Sequence, residues 1–555
     1  MHASLKKARG QRRVAIVGSR AQKRASGLPA LHDRASGLLL HLTSLPGPHG
    51  NGDLGEEAHA FAQLLARTGQ RWWQMLPIGP AGYGDSPYSA ESAFAGNPLL
   101  VDLDALGVPI DPSPFPAKGS GNVDYARAHT FRERHLRRAF DAFVERGSRS
   151  EQKGLAAFEQ KAAYWLDDFA LFRALKRAHG NVEWTKWESG ARLRDRAALK
   201  RARHEHAGEI AFTKFVQWKF DEQWTALRAR CAALGIGLIG DLPIFVAHDS
   251  ADVWSNPSLW KLDEDGAPVV VAGVPPDYFS RTGQRWGNPL YRWAHLGKGG
   301  YTWWIERVRA ALARFDALRL DHFIGFVRYW QVPGDEDTAL NGKWMKGPGR
   351  PLFDAVQNAI GALGARLPFI AEDLGAVTAS VTRLRCALGL PGMRIVQFAF
   401  GDDPQVDLFK PHNHERASVV YTGTHDNDTV VGWFGDPGDG KASSRTKAQT
   451  EAERRRALAY LGIEGAASGS GEAAREIHWH MIRLAMSSVA STAIIPVQDV
   501  LGLGSEARMN SPGSAGGNWR WRLRAGAIDE RIEQRLLEVT QTYGRDEASA
   551  QENRS

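Results

Sequence analysis

The chain has 555 residues, 43% of them hydrophobic, which is enough for a sizeable core and too long for one minimal domain. Its formal charge of +8 lies wholly in residues 1–36, where nine Lys/Arg face the single acid Asp33, so the remaining 61 bases balance 61 acids. A nucleic-acid partner wants a basic face on the folded part and a membrane span wants a long apolar run; the body of this chain offers neither.

The N-terminal segment is basic and acid-poor. It reads as a disordered tail, a transit peptide or an over-long start; Arg12-Arg13 has the form of a twin-arginine signal, but Val14–Gly18 is too short for the apolar region such signals need. Beyond it, short β-like runs ending in Gly, Asp or Pro recur at Gly37–Leu45, Arg71–Ile78, Gly235–Val246, Ala317–Asp321, Pro368–Asp373, Met393–Phe400, Ser418–Thr422 and Thr492–Val500. Helical periodicity fills Glu56–Arg67, Tyr301–Arg314, Leu352–Leu363, Val377–Leu388 and Ala474–Ser488. Eight strands alternating with helices predict an α/β fold, a (β/α)₈ TIM barrel spanning residues 37–540. The second and third runs are too far apart for one crossover. The stretch of about 104–234 has helical period, as in Phe131–Glu145 and Leu155–Arg177, and reads as a helical insertion; about 247–300 reads as a substrate-loop insertion. Gly462–Gly471 looks like a flexible loop, and the chain from 541 onward, Asp546–Ser555 above all, like a disordered tail.

Two motifs invite misreading. Gly235-Ile236-Gly237-Leu238-Ile239-Gly240 matches the dinucleotide fingerprint, yet its glycines lie within the strand and Pro243 follows, where a phosphate site needs a helix N-terminus. His478 and His480 are two apart and diverge on a helix; with no HExxH and no cysteine pair at zinc spacing, neither metal nor organic cofactor is expected. Cys231 and Cys386, both in apolar surroundings, point to a reducing compartment, hence the cytoplasm. The 19 Trp suit stacking on pyranose rings, although core packing accounts for most of them.

Three carboxylates stand where apolar runs stop. Arg319 and Asp321 are i and i+2 on a strand and share a face; a guanidinium there favours the charged carboxylate that a nucleophile needs, and equally fits a structural ion pair. Glu372 follows the apolar Pro368-Phe369-Ile370-Ala371, an approach that suits a proton donor; its neighbour Asp373 is a rival. His425-Asp426, in a Thr/Gly turn, offers a donor and an acceptor to sugar hydroxyls, or merely caps backbone. Together they fit retaining glycoside cleavage, which needs a nucleophile and an acid/base across the scissile bond.

The combination, with several long motifs, carries a resemblance. Asp85-Ser86-Pro87-Tyr88 leads to Phe94-Ala95-Gly96-Asn97-Pro98-Leu99. Then come Gly240-Asp241-Leu242-Pro243-Ile244-Phe245-Val246, Pro275-Pro276-Asp277-Tyr278-Phe279-Ser280 with Gly283-Gln284-Arg285-Trp286-Gly287, and Asn518-Trp519-Arg520-Trp521-Arg522. From about Gly37 to Arg522 the chain resembles the 4-α-glucanotransferases of the amylomaltase (disproportionating enzyme) type, glycoside hydrolase family 77, relatives of the α-amylases. The resemblance implies Asp321 as nucleophile, Glu372 as general acid/base and Asp426 as transition-state stabiliser. It also implies a mobile loop around Tyr278, Phe279, Gln284 and Trp286 closing over the glucan, and Ser86, Tyr88, Asp241, Arg319 and His425 lining the site. Its substrates would be α-1,4-glucan donors and acceptors, maltooligosaccharides or glucose. Two other expectations stand beside transfer: an α-glucan hydrolase of the same mechanism, and a catalytically dead glucan-binding protein.

Overall fold

Strands buried on both faces read as unbroken apolar runs, and eight such runs close on one another here. A computed structural model describes residues 27–116, 121–276, 281–361, 366–440, 445–463, 475–514 and 516–546. The barrel strands are Ala35–Leu39, Trp72–Gln74, Gly237–Leu242, Ala317–Leu320, Phe369–Ala371, Gly392–Ile395, Ser418–Tyr421 and Thr492–Pro496. All pair in parallel with their neighbours in chain order, and the first closes on the last with Ala35 opposite Thr492. This is the expected (β/α)₈ barrel.

Two of the glycines in the apparent dinucleotide motif have a packing role. A Cβ on Gly237 would lie 2.5 Å from the Trp72 ring, and one on Gly240 would lie 2.4 Å from the Phe315 ring. Large aromatics fill the room that those two residues leave inside and around the sheet.

The excursion between the second and third strands is largely helical, but its details differ from the periodicity. The single helix expected over Leu155–Arg177 is two helices, Arg149–Ala162 and Leu166–Ala178, with a break that leaves Tyr164 exposed. No Gly or Pro marks the break, so nothing local announced it. The first of the pair starts on a capping box, Ser148 and Glu151 exchanging hydrogen bonds with each other's backbone. The long helix Ala207–Ala233 returns to the barrel: Phe220, Trp224, Leu227 and Cys231 are buried, and Trp224 meets Phe315 edge-on at 5.2 Å.

A second sheet escaped the sequence reading. Gln284–Pro289, Val270–Val274, Arg328–Pro333 and Lys343–Lys346 form an antiparallel sheet in that order, built from the excursions after the third and fourth barrel strands.

The ends of the described chain differ from the expected tail boundaries. The first barrel strand begins at Ala35, and Arg34 already donates to the carbonyls of Tyr543, Ser488 and Met486. Arg545 is buried and donates to the carbonyls of Ala35, Met486, Ser488, Ala490 and Ser491. Both arginines satisfy strand-end and helix-end carbonyls, so 34–36 and 541–545 are part of the fold. Cys386 is exposed, against the apolar surroundings expected for it, while Cys231 is buried. Residues 1–26, 464–471 of the expected loop and 547–555 lie outside the described residues. Among the described residues no helix is long and apolar enough to cross a membrane.

Candidate active site

Parallel strands bring their C-terminal ends to one rim, so residues far apart in sequence meet there. Asp321 directly follows the fourth strand and Glu372 directly follows the fifth. Asp426 lies on the turn after the seventh. Asp241 is inside the third strand and, in register, stands opposite Arg319 of the fourth.

That register creates the central ion pair. Arg319 Nη1 donates to both oxygens of Asp241, at 3.0 and 2.8 Å, and to Asp321 Oδ1 at 2.9 Å. Arg319 and Asp241 are both buried. Burial works against the guanidinium charge, but Asp241 and Asp321 outweigh it and raise the Arg319 pKa. Asp321 Oδ2 has no hydrogen-bond partner among the described residues.

Glu372 is gripped by backbone. Its Oε2 accepts from His322 N at 2.7 Å and its Oε1 from Leu374 N at 3.0 Å. His322 has φ +49, a left-handed conformation unusual for a side chain with a Cβ. Burial, with the charge of Asp321 adding to it, pushes the Glu372 pKa up to about 8, despite Arg319 and the two N–H donors. The rival, Asp373, goes elsewhere: it accepts from Met393 N at 2.8 Å and forms ion pairs with Arg385, whose Nε lies 3.1 Å away, and with Arg394. Adjacent acids thus separate into a rim carboxyl and a structural ion pair.

Tyr88 links the rim across the barrel. Its hydroxyl lies 2.8 Å from Asp241 Oδ2 and 2.8 Å from His425 Nε2. Burial raises its pKa, so the proton stays and goes to the carboxylate. The tyrosine oxygen is then left to accept from His425, which assigns the histidine proton to Nε2. The rings stack at 5.2 Å, and Trp519 packs on both, 5.7 Å from Tyr88 and 5.9 Å from His425. His425 Nε2 is also 3.4 Å from Asp426 Oδ2. Asn510 Nδ2 holds Asp426 Oδ1 at 2.6 Å, and Arg508 donates to the Asp426 carbonyl at 2.7 Å.

The remaining expected residues take supporting positions. Ser86 Oγ accepts from Tyr88 N at 3.3 Å. Gln284 Oε1 accepts from the Trp286 indole, whose ring stands edge-on to His322 at 4.9 Å. Tyr278 and Phe279 lie outside the described residues. Trp519, Asn510, Arg508 and His322 were not singled out as site residues. Trp519 stands in Asn518-Trp519-Arg520-Trp521-Arg522, but nothing in Arg508-Met509-Asn510 signals a role, because a Gly/Ser/Pro-rich loop reads as turn.

Polar and charged side chains gathered at the C-terminal rim of a closed parallel barrel are the arrangement of a (β/α)₈-barrel enzyme. Its membership is specific: the chain belongs to the 4-alpha-glucanotransferase family, glycoside hydrolase family 77, whose model matches residues 40–528. It is 48% identical over 519 residues to the 4-alpha-glucanotransferase of Thermus thermophilus, covering 92% of this chain and 99% of that one. The Synechocystis 4-alpha-glucanotransferase is 43% identical over 525 residues, covering 93% and 99%. Among solved structures, the amylomaltase from Streptococcus agalactiae in complex with acarbose superposes with a TM-score of 0.84 at 36% identity, covering 92% of this chain and all of that one.

Proposed function

We propose that this enzyme transfers a segment of an α-1,4-glucan to the 4-hydroxyl of an acceptor glucan or glucose, by double displacement with retention. The relatives bear the name of that activity, and the observation that carries the mechanism is the contrast between two rim carboxyls. Glu372 is desolvated and raised to about 8, the protonation that an acid needs near neutral pH. Asp321 has one oxygen on Arg319 and the other uncommitted among the described residues.

In the first step Asp321 Oδ2 attacks the anomeric carbon, and the bond to the leaving oxygen breaks as Glu372 gives that oxygen its proton. The product is a covalent β-glucosyl-enzyme and a shortened chain with a free 4-hydroxyl. In the second step Glu372, now a carboxylate, takes the proton of an acceptor 4-hydroxyl, whose oxygen displaces Asp321. Two inversions give retention. Asp426, oriented by Asn510, holds sugar hydroxyls and favours the distorted, positively charged sugar. Arg319, Asp241, Tyr88 and His425 form one hydrogen-bonded chain that fixes these groups before substrate arrives.

Transfer in place of hydrolysis requires acceptor at the site and water kept out. Trp286, against His322 and partly exposed, supports a closing role for its loop. Incubation with maltotriose tests the reading: glucose plus a ladder of longer oligosaccharides is expected, whereas shortening alone would establish the hydrolase. Loss of all product formation in Asp321→Ala, with the fold intact by circular dichroism, separates both from a non-catalytic glucan binder.

A further inference from the structure

The break between the helices Arg149–Ala162 and Leu166–Ala178 does more than interrupt a helix. It sets Tyr164 and Trp165 on the wall of a cavity of about 350 Å³ that Trp303 also lines and that none of the rim carboxylates lines. Phe94 is its buried floor and touches all three rings. It stacks on Trp165 at 6.5 Å with planes 13° apart, and meets Tyr164 and Trp303 edge-on at 5.6 and 6.0 Å. The cavity volume falls in the range of small-molecule sites. Tyr164 is 52% exposed, with its ring edge-on to Phe94 and one face left open to the cavity mouth.

The polar lining points to one ligand chemistry. Three acids border the cavity: Asp168 and Glu306 are already paired, with Arg194 at 2.7 Å and Arg309 at 2.8 Å, and the buried Asp252 accepts from Ala93 N and is pushed up to about 6 by burial. The first two charges are locally compensated and burial disfavours the third, so a cation gains little there, yet their oxygens retain lone pairs for hydroxyl donors. Neither indole N–H of Trp165 or Trp303 has a hydrogen-bond partner among the described residues, and neither is a sealed buried atom. Flat rings, open N–H donors and charge-compensated acceptors suit a neutral, ring-shaped polyol. We propose that this cleft is a second, non-catalytic binding site for an α-1,4-glucan, engaging a stretch of a long chain away from the rim.

The cleft is coupled to the active site by sequence. Tyr88 and Phe94 belong to one loop, anchored where Ala93 N donates to the buried Asp252 at 2.7 Å and Glu91 pairs with Arg173. A chain in the cleft thus lies over Phe94, the floor supplied by the segment that also presents Tyr88. Such a second contact raises the effective concentration of a long glucan at the rim and does nothing for a short one.

The inference rests on the transferase reading for its ligand, and the test separates the two. Tyr164→Ala removes the exposed ring from a helix break and touches no rim residue. Expected is an unchanged kcat/KM for maltotriose disproportionation and a KM for soluble amylose raised about fivefold, the value of one lost stacking contact. Tyr164→Phe, which keeps the ring, should restore the amylose KM. In native gels containing soluble amylose, the wild-type chain should be retarded more than Tyr164→Ala. Equal effects on maltotriose and amylose, or none on either with equal gel mobility, would overturn the cleft. If the wild type makes no ladder from maltotriose, the transferase reading fails, and gel retardation still decides the cleft.

Discussion

Replacing Glu372 by Gln should make stability respond to pH in a way that the structure sets in sign and size. In the folded chain the Glu372 carboxyl ionises at about 8, against an ordinary 4.5, chiefly through burial and secondly through Asp321. A raised carboxyl pKa means that the folded state keeps a proton which the unfolded state releases. Its contribution is therefore full below about 4.5 and is lost as pH rises to about 8. That interval, at ~1.4 kcal/mol per pH unit, corresponds to a loss of ~5 kcal/mol in the wild type. Gln does not titrate and avoids this loss. It has its own cost, since its single carbonyl can serve only one of the His322 and Leu374 N–H donors, leaving the other facing an amide at about 1–3 kcal/mol. The variant should thus be less stable than wild type by ~1–3 kcal/mol near pH 4.5 and more stable by ~2–4 kcal/mol near pH 8. Urea denaturation across that range, both proteins side by side, reads the crossing directly. A difference that stays constant with pH would refute the claim that Glu372 is held protonated in the folded state.

Other expectations follow from the same contacts. Because Glu372 must carry a proton to release the leaving oxygen, kcat/KM for maltotriose transfer should fall as pH rises through about 8; a profile unaffected there removes Glu372 from the acid role. Tyr88→Phe keeps the stack on His425 but strips Asp241 of a donor and His425 of an acceptor, at about 1–3 kcal/mol. Steady-state kinetics should show a roughly ten- to hundredfold drop in kcat/KM, and near-normal kinetics would show the chain across the rim to be dispensable. Gly240→Ala places a methyl 2.4 Å from the Phe315 ring and should cost about 1–3 kcal/mol in urea unfolding, relieved when Phe315 is shortened to Leu. Retention of full stability in Gly240→Ala alone would mean that the strand–ring contact is looser than the geometry states.

Much of the site was legible because barrel chemistry gathers at strand ends. Apolar runs ending in Asp321 and Glu372 mark the rim directly, and the alternation of Arg319 with Asp321 shows that they share a face. The helix Glu56–Arg67 was readable to the residue, since its apolar positions repeat with helical period and flanking Gly55 and Thr68 end it. Other features left no local trace. The Tyr164 break has neither Gly nor Pro, and the strand Lys343–Lys346 is short and polar, so its pairing with Arg328–Pro333 is settled by a neighbour and not by its own pattern.

The amino-acid order alone determined the alternation of strand and helix, the three strand-end carboxylates and, through long motifs, the family. Those properties are periodic or contiguous, and a linear chain displays them. Tertiary structure decided everything that depends on register and burial. It set Asp241 opposite Arg319 across two strands and sent Asp373 into ion pairs while leaving Glu372 at the rim. It brought Trp519 and Asn510 from the far end of the chain onto His425 and Asp426. Neighbouring acids with the same local sequence acquire different chemistry because solvation and partners belong to the folded surroundings, which no short window of sequence contains.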